Sequence, residues 1–169
     1  MKLNNLIFTA LAGFSIILTG CQNNDENEQH YDNKLFISAS NFTKEILFKA
    51  GDTNVETGLS VAIAKPEKHD IKVTMSPAPE LLSTYKQAYY DETAVLLSEE
   101  HYSMPETSTT IKSGSIVSPE LPIEFINTGE LDIKTTYVLP VTIKSVEGIG
   151  VLQSAKTYYY VFRGASLIN

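Results

Sequence analysis

The sequence predicts an all-β fold, an antiparallel β-sandwich carrying one short helix. Three observations carry that expectation. Apolar and polar residues alternate with period two over most of the chain beyond residue 33, the pattern of half-buried strands. Turn residues interrupt the runs at short intervals, at Gly51-Asp52, Lys65-Pro66, Ser113-Gly114, Asn127-Thr128-Gly129 and Glu147-Gly148. One stretch alone has helical spacing. Short strands with frequent turns favour a sandwich over a parallel sheet.

Taken in order, Lys34–Ala39 and Glu45–Lys49 read as the first strands. Leu59, Val61 and Ile63 then alternate with Ser60, Ala62 and Ala64, and Ile71, Val73 and Met75 with Lys72 and Thr74. From Glu80 to Tyr90 the period changes: Leu81, Leu82, Tyr85, Ala88 and Tyr89 recur at helical spacing. Pro79 suits a first helical turn and Glu80 its dipole, so a short amphipathic helix is expected to link two strands across one end of the sandwich. Strands resume at Thr107–Lys112 and at Leu121, Ile123 and Phe125. Tyr137, Leu139, Val141 and Ile143 form the best run, interrupted by Pro140. A proline cannot donate to a ladder, so that strand is expected at an edge or with a bulge there. Tyr158, Tyr160 and Phe162 close the series.

The N-terminus has a different composition. Lys2 is followed by the uncharged, 13-residue apolar run Leu6–Leu18. Such a run is too short to cross a hydrocarbon layer of about 30 Å as a stable helix, and reads as a processed signal. Leu18-Thr19-Gly20-Cys21 holds the chain's one cysteine and resembles a bacterial lipoprotein signal, which implies cleavage after residue 20 and acylation of Cys21. Each buried CH₂ contributes about 0.8 kcal/mol, so two or more acyl chains anchor firmly. With Cys21 acylated the mature domain keeps no thiol for a disulfide, nucleophile or metal site. Gln22 to Asp32 is polar and acidic and cannot bury enough surface to fold, so residues 21–33 read as a tether. Its Asp25, Glu26 and Glu28 resemble the surface-export signal of Bacteroidetes lipoproteins, which implies an outer-membrane, outward-facing protein.

Removing residues 1–20 leaves 149 residues, one domain in size, here 34–169. A chain of that length buries about 68–70% of its unfolded surface and needs no covalent staples. The formal charge of −7 becomes −8 once Lys2 is cleaved away, and Arg163 is the single arginine. This balance argues against nucleic acid and other anionic polymers and leaves neutral glycans and proteins as partners.

No motif names a chemistry. His30, His69 and His101 stand apart from one another and from Cys, so no metal set is expected. Asp91-Glu92 and Glu99-Glu100 are adjacent pairs, whose side chains diverge on a strand. No cofactor and no enzyme activity are expected. The remaining signal is aromatic: nine tyrosines and no tryptophan. Tyr85, Tyr89, Tyr90 and Tyr102 flank the helix and its exit, and exposed tyrosines there would suit sugar stacking or a protein interface.

Tyr137-Val138-Leu139-Pro140-Val141-Thr142-Ile143, followed by Tyr158-Tyr159-Tyr160-Val161-Phe162 and preceded by Thr110-Ile111-Lys112-Ser113-Gly114, resembles the immunoglobulin-like N-terminal domain of Bacteroidetes surface lipoproteins. The likeness runs from about Lys34 to Arg163. It implies an immunoglobulin-like sandwich, often set ahead of a lectin-like module or a chitinase-like endo-β-N-acetylglucosaminidase. The chain stops at Asn169, about where such relatives begin a second module. The resemblance transfers no catalytic residue. It implies an accessory role in glycan binding or utilisation, with a structural spacer or an adhesin- or pilus-type subunit as the alternative.

Cys21→Ala is expected to leave the protein unprocessed or released from the membrane. Protease added to intact cells is expected to digest the wild type; full protection of an outer-membrane form would contradict outward display.

Overall fold

The computed structural model describes residues 33–165, and the signal and tether, Cys21 included, lie outside them. Twelve strands form in order: β1 Lys34–Ile37, β2 Thr43–Phe48, β3 Val55–Leu59, β4 Val61–Ala62, β5 Ile71–Pro77, β6 Val95–Leu96, β7 Tyr102–Ser103, β8 Ser108–Ile111, β9 Leu121–Phe125, β10 Tyr137–Val146, β11 Gly150–Val151 and β12 Thr157–Gly164. The helix, α1 Leu82–Tyr89, follows a 3-10 turn at Pro79–Leu81 between β5 and β6.

One layer is a six-stranded sheet in the order β2-β12-β10-β5-β8, with β6 also paired to β10. The other consists of two three-stranded sheets, β11-β1-β4 and β3-β9-β7, which meet where β3 runs through Ser60 into β4. The expected all-β sandwich with one helix is therefore what forms. Pairing is mostly antiparallel, but β1 with β11, β6 with β10 and β2 with β12 are parallel. These partners are distant in sequence, so no hairpin turn announces them.

The alternating runs set the core. Leu59, Val61, Ile63, Ile71, Val73, Met75, Leu121, Ile123 and Phe125 are all buried, as are Leu139, Val141 and Ile143. Phe125 packs edge-on against Phe162 and Tyr160, at centroid distances of 4.6 and 5.2 Å. The Tyr160 hydroxyl is wholly buried and finds no hydrogen-bond partner. Thr57, close by, accepts from Lys44 Nζ at 2.7 Å. Burial raises the Tyr160 pKa.

Two expectations change. Pro140 belongs to an interior strand, since β10 lies between β12 and β5, and the register shift in β10 falls between Ile143 and Ser145. The Pro140 carbonyl faces β5 and accepts from the Ala78 N–H at 2.9 Å. A residue's N–H and C=O point to the same side of a strand, so the missing donor also faces β5. There β5 has ended at Pro77 and the chain is turning toward α1, while β6 pairs only with Tyr137 and Val138. The proline occupies a gap between two partners, where no ladder bond is lost.

The helix also sits elsewhere than expected. It packs on the outer face of the six-stranded sheet, where Tyr85, Ala94, Val138, Tyr159 and Val161 form a second apolar cluster. The cause lies in β12. Tyr158, Tyr160 and Phe162 face the sandwich, and Tyr159 and Val161 are apolar too, so the strand has two faces to cover.

Leu139→Ala is expected to cost about 2–5 kcal/mol in denaturant unfolding, as cavity-forming core substitutions do. Lys144→Ala, at an exposed position, should stay within about 0.5 kcal/mol of wild type. Equal losses would mean that the facing of β10 is wrong.

Candidate functional site

Three rings gather where α1 meets β12. Tyr85 and Tyr89 lie on one helix face, four residues apart, and stack at 4.8 Å with a 28° interplanar angle. Tyr159 comes up from the sheet, 5.4 Å from Tyr85 and 6.0 Å from Tyr89. Contacts of this kind contribute about 0.5–1.5 kcal/mol each beyond area burial. Burial raises the Tyr85 pKa, and the Arg163 guanidinium beside it opposes that shift. Burial likewise raises Tyr89 and Tyr159.

Charge pins the end of the helix. Arg163 Nη2 lies 3.5 Å from Asp91, just past α1, and its Nε lies 3.5 Å from Glu45 of β2. One guanidinium thus ties the helix terminus to two neighbouring strands. Such half-exposed pairs contribute at most about 1 kcal/mol and serve mainly to fix position.

Tyr89 separates two depressions. The smaller, about 200 Å³, has Tyr85 and Val161 at its base and Arg163 and Glu45 at its rim. The larger is a cleft of about 300 Å³ walled by Phe42, Leu81, Tyr89 and Tyr159, with Gln153 and Lys156 among the polar groups that line it. Phe42 is held there because its carbonyl accepts from the Tyr159 N–H at 2.9 Å, ahead of the parallel β2–β12 ladder. Its ring is 52% exposed.

A third recess, about 480 Å³, lies on β3 and β9. Glu56 stands directly opposite Glu124, and Gly58 opposite Pro122. The Glu120 side chain crosses the place where a Cβ on residue 58 would be, which explains the glycine. Opposed carboxylates weaken a strand pair; Glu124 is partly held by Asn54 Nδ2 at 2.7 Å.

The four expected tyrosines do not form one surface. Tyr85 is 2% exposed, covered by the sheet it anchors to, and offers no free face. Tyr89 is 41% exposed, one side in the cluster and the other lining both depressions. Tyr90 is 93% exposed. Tyr102 lies in the other layer, on β7 opposite Phe125, partly buried against the main core. Burial, and then Glu99, raise its pKa. Phe42 and Tyr159 lie far from the helix in sequence: antiparallel pairing with β10 sets Tyr159 beneath α1, and parallel pairing with β12 sets Phe42 beside it.

Of the three histidines, His30 lies outside the described residues and the other two serve local structure or loops. His101 Nδ1 lies 3.1 Å from the Ile126 carbonyl, and His69 faces Gly148. Among the described residues no three His, Cys, Asp or Glu side chains gather as a metal set.

A family model described as an N-terminal domain matches residues 31–150. The chain belongs to that family. This agrees with the resemblance read from its β8, β10 and β12 motifs. No curated protein matches it. Among solved structures, a candidate carbohydrate-binding protein of Bacteroides ovatus aligns with TM-score 0.68 at 18% identity, covering 77% of this chain and 36% of its own. EndoBT-3987 of Bacteroides thetaiotaomicron, crystallised with a Man5GlcNAc product, aligns with TM-score 0.64 at 19% identity, over 77% of this chain and 30% of its own. A two-domain Bacteroides fragilis protein of unknown function gives 0.62 at 14%, over 81% and 47%. The chain spans 30–47% of the length of these structures, and at such identities the likeness establishes the fold.

Tyr90 closes the helix in the left-handed region, φ 54° and ψ 34°, its N–H bonded to the Lys86 carbonyl. Glycine is the usual residue at such a position, because a Cβ there is strained. With its ring in solvent, Tyr90→Gly is expected to raise stability by about 0.5–1 kcal/mol in chemical denaturation. A loss of similar size would show that the ring makes contacts that stabilise the fold.

Proposed function

We propose that this chain is a non-catalytic accessory domain of glycan binding or utilisation, held at the outer-membrane surface by lipid on Cys21. The observation that carries the glycan reading is the cleft between Phe42, Tyr89 and Tyr159. It presents the half-exposed rings of Phe42 and Tyr89, backed by the buried Tyr159, with Gln153, Ser154 and Thr157 among its polar lining. Sugars are recognised by this pairing of flat apolar faces with polar groups at the rim. No Asp, Glu or His lines the cleft, so it lacks the carboxylate pair that glycoside hydrolysis ordinarily uses. Membership of an N-terminal-domain family, with Bacteroides structures among the fold neighbours, supports an accessory role.

A second reading, a spacer or adhesin-type subunit, is favoured by β2. That strand is an edge of the six-stranded sheet and carries Leu47, 64% exposed. An exposed edge with an apolar side chain can pair with another chain.

A glycan array followed by calorimetry distinguishes the two. The expected affinity is between about millimolar and tens of micromolar, roughly −4 to −6 kcal/mol. Tyr89→Ala and Phe42→Ala are each expected to weaken it by about 1 kcal/mol, close to fivefold. Absence of binding to every glycan, or binding indifferent to both substitutions, would displace this site and leave the β2 edge as the better reading.

A further inference from the structure

We propose, resting on the glycan reading above, that the cleft beside Phe42 takes a sugar carrying a single carboxylate, the ring against Tyr89 and Phe42 and the carboxylate at Lys156 Nζ. The two sides of Tyr89 differ in charge. On the far side Arg163 is already compensated, with Glu45 and Asp91 each 3.5 Å away. On the near side the lining holds one cation, Lys156, and no carboxylate. This is unexpected in a chain with 20 acidic and 13 basic side chains. Among the described residues no carboxylate forms an ion pair with Lys156.

Lys156 is also anchored. Its carbonyl accepts from the Ile143 N–H at 2.9 Å and from Thr142 Oγ1 at 3.1 Å, which fixes the backbone beside β10. The side chain is partly buried and lines an apolar wall. Lysine commonly lays its methylene stem along such a surface while the ammonium stays in water. The charged end is therefore delivered at the rim of an aromatic cleft, in reach of a substituent on a stacked ring.

The net charge restricts the ligand further. Screening limits the influence of distant surface carboxylates to about 8 Å at physiological ionic strength. A lone carboxylate at Lys156 feels mainly that ammonium. A polyanion would run on across an acidic surface and be repelled. The class is thus an oligosaccharide with one acidic unit, such as a terminal uronic acid on an otherwise neutral chain.

The test uses the full chain and a panel of oligosaccharides with one terminal uronic acid, each beside its carboxyl-reduced counterpart, titrated by calorimetry. Reduction keeps the ring and removes the charge. The acid form is expected to bind about three- to fivefold tighter, the range of an exposed ion pair. That preference should shrink in high salt, vanish in Lys156→Gln and persist in Lys156→Arg, while Lys144→Gln leaves it intact. Equal affinity for both members of every pair, or a preference that survives Lys156→Gln, overturns the acidic-sugar assignment while leaving the glycan site standing. Failure of both the acid and the reduced form to bind, across every pair of the panel, overturns both readings.

Discussion

Everything else in this domain depends on β12 being dry on both faces. A strand at the surface of a sandwich normally shows one face to solvent and keeps polar residues there. Here Tyr158-Tyr159-Tyr160-Val161-Phe162 is apolar throughout. The inner residues complete the main core, and the outer ones require a cover. α1 supplies that cover. At eight residues it is far too short to persist alone in water. Its existence and position follow from the outer face of β12, with Tyr85 as the side chain that seals the contact.

The candidate surface is a by-product of this arrangement. The cluster beneath the helix is small, and the aromatic side of α1 extends past it. Tyr85 fits over Tyr159 and Val161, while Tyr89, one turn on, reaches beyond what the sheet can bury. The parallel addition of β2 then places Phe42 beside the overhang. An apolar cleft appears at the surface, lined by α1, by Phe42 just ahead of β2 and by the turn that leads into β12. The acidic recess on β3 and β9 has a different character, with its carboxylates set against one another across a strand pair.

Much of this was legible in the alternation of residues. Leu139, Val141 and Ile143 were assigned inward because period two leaves a strand only two orientations, and all three are buried. The helix could be recognised from Leu81, Leu82, Tyr85 and Tyr89 because the period changed from two toward 3.6. Its seat could not. Apolar residues on both faces of β12 were visible, but the alternation of Tyr158, Tyr160 and Phe162 drew attention to one face only. Pro140 misled for a related reason. The rule that proline avoids interior strands concerns a lost hydrogen bond, and no sequence shows that β5 and β6 leave a gap at that point. The site is legible only through Tyr89, since Phe42 and Tyr159 join it by pairing between segments far apart in the chain.

That long-range pairing also orders events in time. Thr43 of the second strand lies beside Tyr159 of the last, more than a hundred positions later. β10 depends on the same last strand for one of its two sides. Bringing such distant segments together costs chain entropy before any contact offsets it, and folds built this way close slowly. On the ribosome, the six-stranded sheet lacks the strand that joins β2 to β10 until Gly164 has been made. The nascent chain is thereby kept open by its own topology until its last strand is complete.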